Sequence, residues 1–205
     1  MSTNQPNKKL STPGMVSFTI KDTNEKALQR AVLKQGQSYL DGKTVEWLDI
    51  ELPLEFSENA RRPCVDLIGR DEDGRYLLCE LKFSNNKTDS PCDAEKELIG
   101  YYDLITKNSM ELDKNEIHHK KQKLFSWTEL VNSNPRLCIM ADASYWAYWE
   151  NKVDSVKLQH PDLVECLAID IDSNVFAGQR AEQGGEHYTP SLEENHWHSL
   201  YTFSC

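Results

Sequence analysis

The sequence predicts an α/β domain with a mixed central sheet. Two apolar runs, residues 64–69 and 76–83, have the length and the aliphatic composition of strands. Residues 71–74 between them have turn chemistry, so the two runs form a hairpin. Helical periodicity precedes and follows this hairpin, and residues 136–140 have the composition of a buried strand.

The hairpin loop predicts which side chains face each other. A three-residue loop over residues 72–74, with Gly74 in the left-handed conformation, pairs residue 71 with residue 75. In this register Asp66 lies opposite Glu80. Because side chains alternate along a strand, Lys82 points to the same side as both acids. We therefore expect a polar face with Asp66, Glu80 and Lys82, and a core face with Val65, Leu67, Leu77, Cys79, Leu81 and Phe83.

The charged face has two interpretations. A solvated sheet face is the commoner meaning of charge in strands. However, Ile68 and Leu78 share this face, and directly opposed like charges are destabilising. A divalent cation with oxygen ligands would stabilise such a pair.

Four residues in this region resemble the signature of the PD-(D/E)xK nucleases, namely Pro63, Asp66, Glu80 and Lys82. From about residue 23 to residue 142 the order of helix, three-stranded meander, helix and strand is also similar to that family. The resemblance covers about half of the chain. It implies a restriction-endonuclease-like αβββαβ core, with a mixed central sheet flanked by helices.

The helix after the second hairpin strand, predicted over about residues 92–106, strengthens the resemblance. Ala94, Leu98 and Tyr101 keep the family spacing. Glu97 stands where the family usually has glutamine. The resemblance makes Glu97 and Tyr101 supporting residues of a site.

The resemblance implies metal-dependent hydrolysis of phosphodiester bonds, in DNA rather than RNA. Asp66, Glu80 and the backbone carbonyl of Leu81 would hold Mg²⁺ or Mn²⁺, and Mg²⁺ needs only one or two carboxylates. Lys82 would orient the attacking water or help to deprotonate it. In this family a glutamate on the first helix can approach the metal, which makes Glu25 a further candidate ligand.

Two acids have alternative interpretations. Glu25 lies three residues after Asp22, so it can complete a capping box at the start of the first helix instead of approaching a metal. Residues 47–52 alternate with period two, and we expect Leu48, Ile50 and Leu52 on one face. Glu51 on the opposite face is a secondary acid candidate.

Composition sets the outer limits. The 205 residues are 39% hydrophobic and 27% charged, which predicts one domain over residues 16–205 after a disordered polar tail over residues 1–15. We expect no membrane span, because no run approaches ~20 apolar residues. No apolar signal core is present near the start of the sequence, so we expect a cytoplasmic location.

The formal net charge of −10 is unusual for a protein that binds nucleic acid. Residues 1–43 nevertheless hold seven basic and three acidic side chains, and residues 118–123 form a second basic cluster. The alternative function is a catalytically inactive nuclease-fold module that binds nucleic acid or protein. The oligomeric state, a homodimer included, stays open.

Overall fold

The computed structural model describes residues 25–54, 63–83, 88–118, 124–150, 152, 157–169, 192 and 196–200. The predicted tail over residues 1–15, the predicted cap Asp22 and residues 119–123 of the basic cluster lie outside the described residues. The elements are α1 (Glu25–Gln35), β1 (Gln37–Leu40), β2 (Lys43–Pro53), β3 (Cys64–Asp71), β4 (Tyr76–Lys82), α2 (Pro91–Lys114), α3 (Trp127–Asn132), β5 (Arg136–Asp142), α4 (Ala143–Glu150), β6 (Val164–Ile169) and β7 (His196–Ser199).

The seven strands close into a mixed barrel in the order β1 to β7. β4, β5 and β6 are parallel neighbours, and β7 pairs antiparallel with β6 and parallel with β1. The predicted restriction-endonuclease-like αβββαβ core, with a central sheet flanked by helices, is therefore wrong. The reason is that β7 pairs with β1, so the sheet formed by the described strands closes on itself and has no open edges.

The closure depends on two strands of four residues each, β1 and β7. Tyr39 pairs with His196, and Leu40 pairs with Trp197. Asp41, directly after β1, accepts a hydrogen bond from the backbone N–H of Ser199 at 3.1 Å and another from its hydroxyl, although the two residues are 158 positions apart. Strands this short have too little periodicity to be recognised in a sequence.

The β3–β4 hairpin has the predicted register. Gly74 has a φ of 84°, and the backbone N–H of Asp71 donates to the carbonyl of Arg75 at 2.9 Å. Leu67 pairs with Cys79 at the other end of the ladder. The ladder ends at this pair, and the backbone N–H of Leu81 donates to the side chain of Asp66 instead of to the backbone of β3. The predicted three-residue loop is confirmed, whereas the pairing of Asp66 with Glu80 lies one step beyond the ladder.

Both faces of the sheet are apolar, which the sequence analysis did not expect. One hydrophobic cluster joins α1 to Leu67, Leu77, Cys79, Leu81 and Phe83. A second cluster joins α2, α3 and α4 to the other face, where Ile68 and Leu78 are buried. Val65 belongs to this second cluster, so its predicted place beside Leu67 is wrong. β4 is buried at every position because helices cover both of its sides.

β2 is irregular at two points. Its register shifts within residues 47–49, and Glu51 has a φ of 49°, which is uncommon for a residue other than glycine. Leu48 and Leu52 consequently pack in the second cluster, whereas Ile50 packs in the first. The prediction that these three side chains share one face is wrong, since regular alternation does not hold through a bulge.

α2 begins at Ser90, whose side chain accepts from the backbone N–H of Asp93 in a capping box, with Pro91 as the first helical residue. It runs to Lys114, beyond the predicted end near residue 106, because Leu112 continues its buried face. Among the described residues, no helix is long and apolar enough to cross a membrane.

Gly69 of β3 provides a test of the packing between β2 and β3. A Cβ atom there would meet two carbons of the Trp47 ring at 2.9 Å and Val45 Cγ1 at 3.0 Å. The indole cannot easily move, since its Nε1 donates to Ser38 Oγ at 2.5 Å. We expect Gly69→Ala to lower the free energy of unfolding by about 1–3 kcal/mol in denaturant titrations.

Gly100 is the matched control. It lies on the exposed side of α2, and a Cβ atom there would meet nothing within 4 Å. Gly100→Ala should raise the free energy of unfolding by about 0.5–1 kcal/mol, because alanine is the better helix former. Equal effects of the two variants would contradict the described packing.

Candidate active site

The centre of the candidate site is a buried ion pair on β4. Lys82 Nζ donates to Glu80 Oε1 at 2.8 Å, and both residues are only 4% exposed. The same ammonium donates to Glu97 Oε2 on α2 at 3.2 Å. The prediction that Glu80 and Lys82 share a side of the strand is confirmed. The prediction that this side is a polar face is wrong, because α2 and its neighbours cover it.

Asp66 is held at the end of the β3–β4 ladder by two donors. Its Oδ1 accepts from Gln29 Nε2 at 2.6 Å, and its Oδ2 accepts from the backbone N–H of Leu81 at 2.9 Å. The last ladder pair before it is Leu67 with Cys79. The Asp66 carboxylate thus lies between α1 and the part of β4 that carries Glu80 and Lys82.

Gln29 is a site residue that the sequence analysis missed. It is 2% exposed and lies one helical turn after Glu25, inside the run of α1 that is buried from Ala27 to Leu33. A glutamine on the buried side of an amphipathic helix must find a hydrogen-bond partner. This rule indicates from the sequence that Gln29 has a hydrogen-bond partner. It does not identify the partner, Asp66, which is 37 positions further along the chain.

Burial dominates the electrostatics of the two acids. It raises the pKa of Asp66 to about 7, with a further increase from the charge of Glu25 and an opposing effect of the Leu81 hydrogen bond. The pKa of Glu80 is raised well above its usual range by burial and then by the charge of Asp66, against the effect of Lys82. Negative charge at this site is therefore only partly compensated.

Lys82 stays charged. Burial alone would lower its pKa, but the charge of Glu80 and the hydrogen bond to it outweigh burial and raise the pKa above the usual range for lysine. The site therefore contains a permanent ammonium beside two carboxylates that have elevated pKa values.

The two oxygens of Glu80 differ in their hydrogen bonding within the described residues. Glu80 Oε2 is buried and accepts no hydrogen bond from any residue that the structure describes. Leaving a buried acceptor unsatisfied costs about 1–3 kcal/mol, and more when the group is charged. The atom is therefore a suitable ligand for a cation.

Glu25 and Tyr101 lie near the same charges. Glu25 is half-buried at the first residue of α1, and its charge contributes to the raised pKa values of both Asp66 and Lys82. Tyr101 lies one turn after Glu97 on α2, and burial followed by the charge of Glu80 raises the pKa of its hydroxyl. The structure thus brings together Glu25, Asp66, Glu80, Lys82, Glu97 and Tyr101.

Glu51 is bound to other partners. The neighbouring pairs of β2 with β3 set it opposite Asp66, but its carboxylate pairs with Arg30 at 2.8 Å and with Lys26 at 3.5 Å. Burial tends to raise its pKa, but the Arg30 hydrogen bond and charge outweigh burial and hold the pKa below its usual range. Glu51 is therefore neutralised by α1, and Arg30 is a second residue that the sequence analysis missed.

Asp66 and Glu80 are carboxylates, the oxygen ligands that a hard divalent cation prefers. Among the described residues, no group of three or more His, Cys, Asp and Glu side chains is placed to hold a metal. Mg²⁺ usually binds proteins through one or two carboxylates together with waters and substrate phosphate oxygens, so two acids would hold it only with those further ligands. Leu81, whose carbonyl is the third predicted ligand, is tied to Asp66 through its N–H.

The raised pKa of Asp66 predicts a pH dependence of stability. Its value of about 7 in the folded protein exceeds the ordinary 3.8, so the folded state binds this proton more tightly than the unfolded chain does. The free energy of unfolding should therefore fall as the pH rises from about 4 to about 7, and the contribution of Asp66 should be constant above that. Asp66→Asn should lose less stability than the wild type between pH 5 and pH 8 in thermal melts.

Glu46→Gln is the control for this measurement. Glu46 also lies on the sheet and pairs with Arg70 at 3.3 Å, away from the site. The stability of the Glu46→Gln variant should depend on pH as that of the wild type does. If Asp66→Asn showed the same dependence as the wild type, Asp66 would not titrate in this range.

Comparisons of the chain with protein-family models, curated proteins and solved structures found no match. Function is therefore inferred from the geometry and charge of the residues described above.

Proposed function

We propose that this chain is a metal-dependent nuclease that hydrolyses phosphodiester bonds, with an active site of the PD-(D/E)xK kind. The observation that supports it most is the buried Glu80 Oε2, which has no partner among the described residues and lies in a network that also contains Asp66 and Lys82. From the sequence alone, the proposal also includes DNA rather than RNA as the substrate and a cytoplasmic location.

Asp66 and Glu80 would hold Mg²⁺ or Mn²⁺. When bound, such an ion stabilises negative charge that develops on a phosphoryl group and lowers the pKa of a coordinated water. Two groups of the chain orient Asp66 as a ligand, since Gln29 and the Leu81 N–H each donate to one of its two oxygens. Partners of this kind orient metal ligands in general.

Lys82 would bind the substrate phosphate and orient the attacking water. Its raised pKa keeps it as an ammonium at neutral pH, so it acts as a positive charge and hydrogen-bond donor. The alternative role of a base that removes a proton from water is disfavoured, because a general base must be unprotonated at the working pH.

A binding module without turnover is the second candidate function. Lys82 already neutralises one oxygen of Glu80, so the site can be stable without a metal. The formal net charge of −10 also favours a protein partner over a polyanion. Metal-dependent cleavage separates this candidate from the nuclease.

Metal binding should stabilise the fold. An ion that binds only the native state adds about 2.7 kcal/mol when its concentration is 100 times the dissociation constant. We expect millimolar Mg²⁺ or Mn²⁺ to raise the melting temperature of the wild type and of Glu46→Gln, and to leave Asp66→Asn nearly unchanged. An equal rise in Asp66→Asn would place the bound ions elsewhere.

Substitution in the ion pair should strongly reduce cleavage. Glu80→Gln removes a metal ligand and Lys82→Met removes the ammonium, and each should lower cleavage by ~100-fold or more, since a positioned catalytic group contributes typically 10²–10⁴. Lys96→Met, which removes an exposed ammonium from α2, should cleave as the wild type does. Substrates would be single-stranded, duplex and branched DNA, and RNA, each with Mg²⁺ and with Mn²⁺.

Folding needs its own control in this experiment, because Glu80 and Lys82 are buried and either single change leaves the other group without its partner. The double variant Glu80→Gln/Lys82→Met carries neither charge. It should melt near the wild type and remain inactive. A folded wild type that cleaves none of these substrates would favour the binding module.

A further inference from the structure

Two carboxylates from different elements share the Lys82 ammonium. Nζ lies 2.8 Å from Glu80 Oε1 on β4 and 3.2 Å from Glu97 Oε2 on α2. Glu80 and Lys82 are buried, whereas the Glu97 side chain is 47% exposed. Glu97 therefore lies at the solvent-exposed rim of the site, and its carboxylate contacts the buried ammonium.

A cation at Glu80 would compete with Lys82. Glu80 Oε2 is free of partners among the described residues, but Oε1 is already bound to the ammonium. A divalent ion on this carboxylate would repel the neighbouring positive charge at short range. The ammonium then needs another anion, or the metal must bind against this repulsion.

We propose, on the basis of the function proposed above, that Glu97 is a positioning residue that holds the Lys82 ammonium when a divalent cation binds Glu80. Glu97 Oε2 is already within hydrogen-bond distance, so only the bond from Lys82 to Glu80 must break. A glutamine at this position, which the resembling family usually has, could accept the hydrogen bond but could not neutralise the charge. Glu97 thereby keeps Lys82 beside the metal ligands without blocking them.

A double-mutant cycle with Mn²⁺ alone tests this role without any substrate. Mn²⁺ binding to the full chain would be measured by electron paramagnetic resonance of the free ion for the wild type, Glu97→Gln, Lys82→Met and the double variant. We expect Glu97→Gln to weaken Mn²⁺ binding by about tenfold when Lys82 is present, as substitution of groups around metal ligands commonly does. In the Lys82→Met background, Glu97→Gln should weaken Mn²⁺ binding by less than about threefold, because no ammonium remains to be held.

Asp103→Asn controls for the loss of one negative charge from α2. Asp103 is exposed on the same helix, and this variant should bind Mn²⁺ as the wild type does. An equal loss from Glu97→Gln in both backgrounds would make Glu97 a metal ligand or a general charge, and would overturn the inference. Absence of Mn²⁺ binding by the wild type would instead overturn the proposed metal site itself.

Discussion

The burial of Lys82 and Glu80 inside the sheet is the constraint on which the rest of the site depends. Removing two charged groups from water costs several kcal/mol per ion, even after relaxation. The 2.8 Å hydrogen bond between them offsets part of this cost, and Glu97 adds a second acceptor for the ammonium. The negative charge of Asp66 is added to this pair and raises the pKa of Glu80 further.

The neighbouring strands depart from regular geometry along one row. Glu51 and Asp66 lie opposite each other on β2 and β3, and Glu80 directly follows the last residue of β4 that pairs with β3. The ladder between β3 and β4 ends beside Asp66, and Glu51 has a positive φ. Sparsely populated backbone conformations of this kind cluster at functional sites, where surrounding contacts maintain them. Here α1 supplies those contacts through Arg30 and Gln29.

The balance of charge is compatible with both of the proposed functions. Asp66, Glu80 and Glu97 surround one lysine, so a cation would compensate the remaining negative charge. Both oxygens of Asp66 and the ammonium of Lys82 are nevertheless hydrogen-bonded, and within the described part of the chain Glu80 Oε2 is the oxygen of this network that lacks a partner. A protein can keep such a network for stability alone, which is why metal binding and cleavage must be measured separately.

The sequence by itself determined the hairpin and its register. Turn chemistry at residues 71–74 and strand alternation are local properties, and they fix the pairs from Arg70 with Tyr76 to Leu67 with Cys79 and place Lys82 on the side of Glu80. β2 was predicted less well, because its bulge and the positive φ of Glu51 interrupt the alternation that its sequence suggests.

Only the tertiary structure decided the rest. Gln29 and Arg30 reach acids that are 37 and 21 positions away, and no local pattern encodes such contacts. The burial of the charged side of β4 results from the packing of α2 against it. The barrel closes through two four-residue strands from opposite parts of the chain. Their pairing is favourable only after the strands between them have brought the two edges together, because the ends of a long loop must first be joined at an entropic cost.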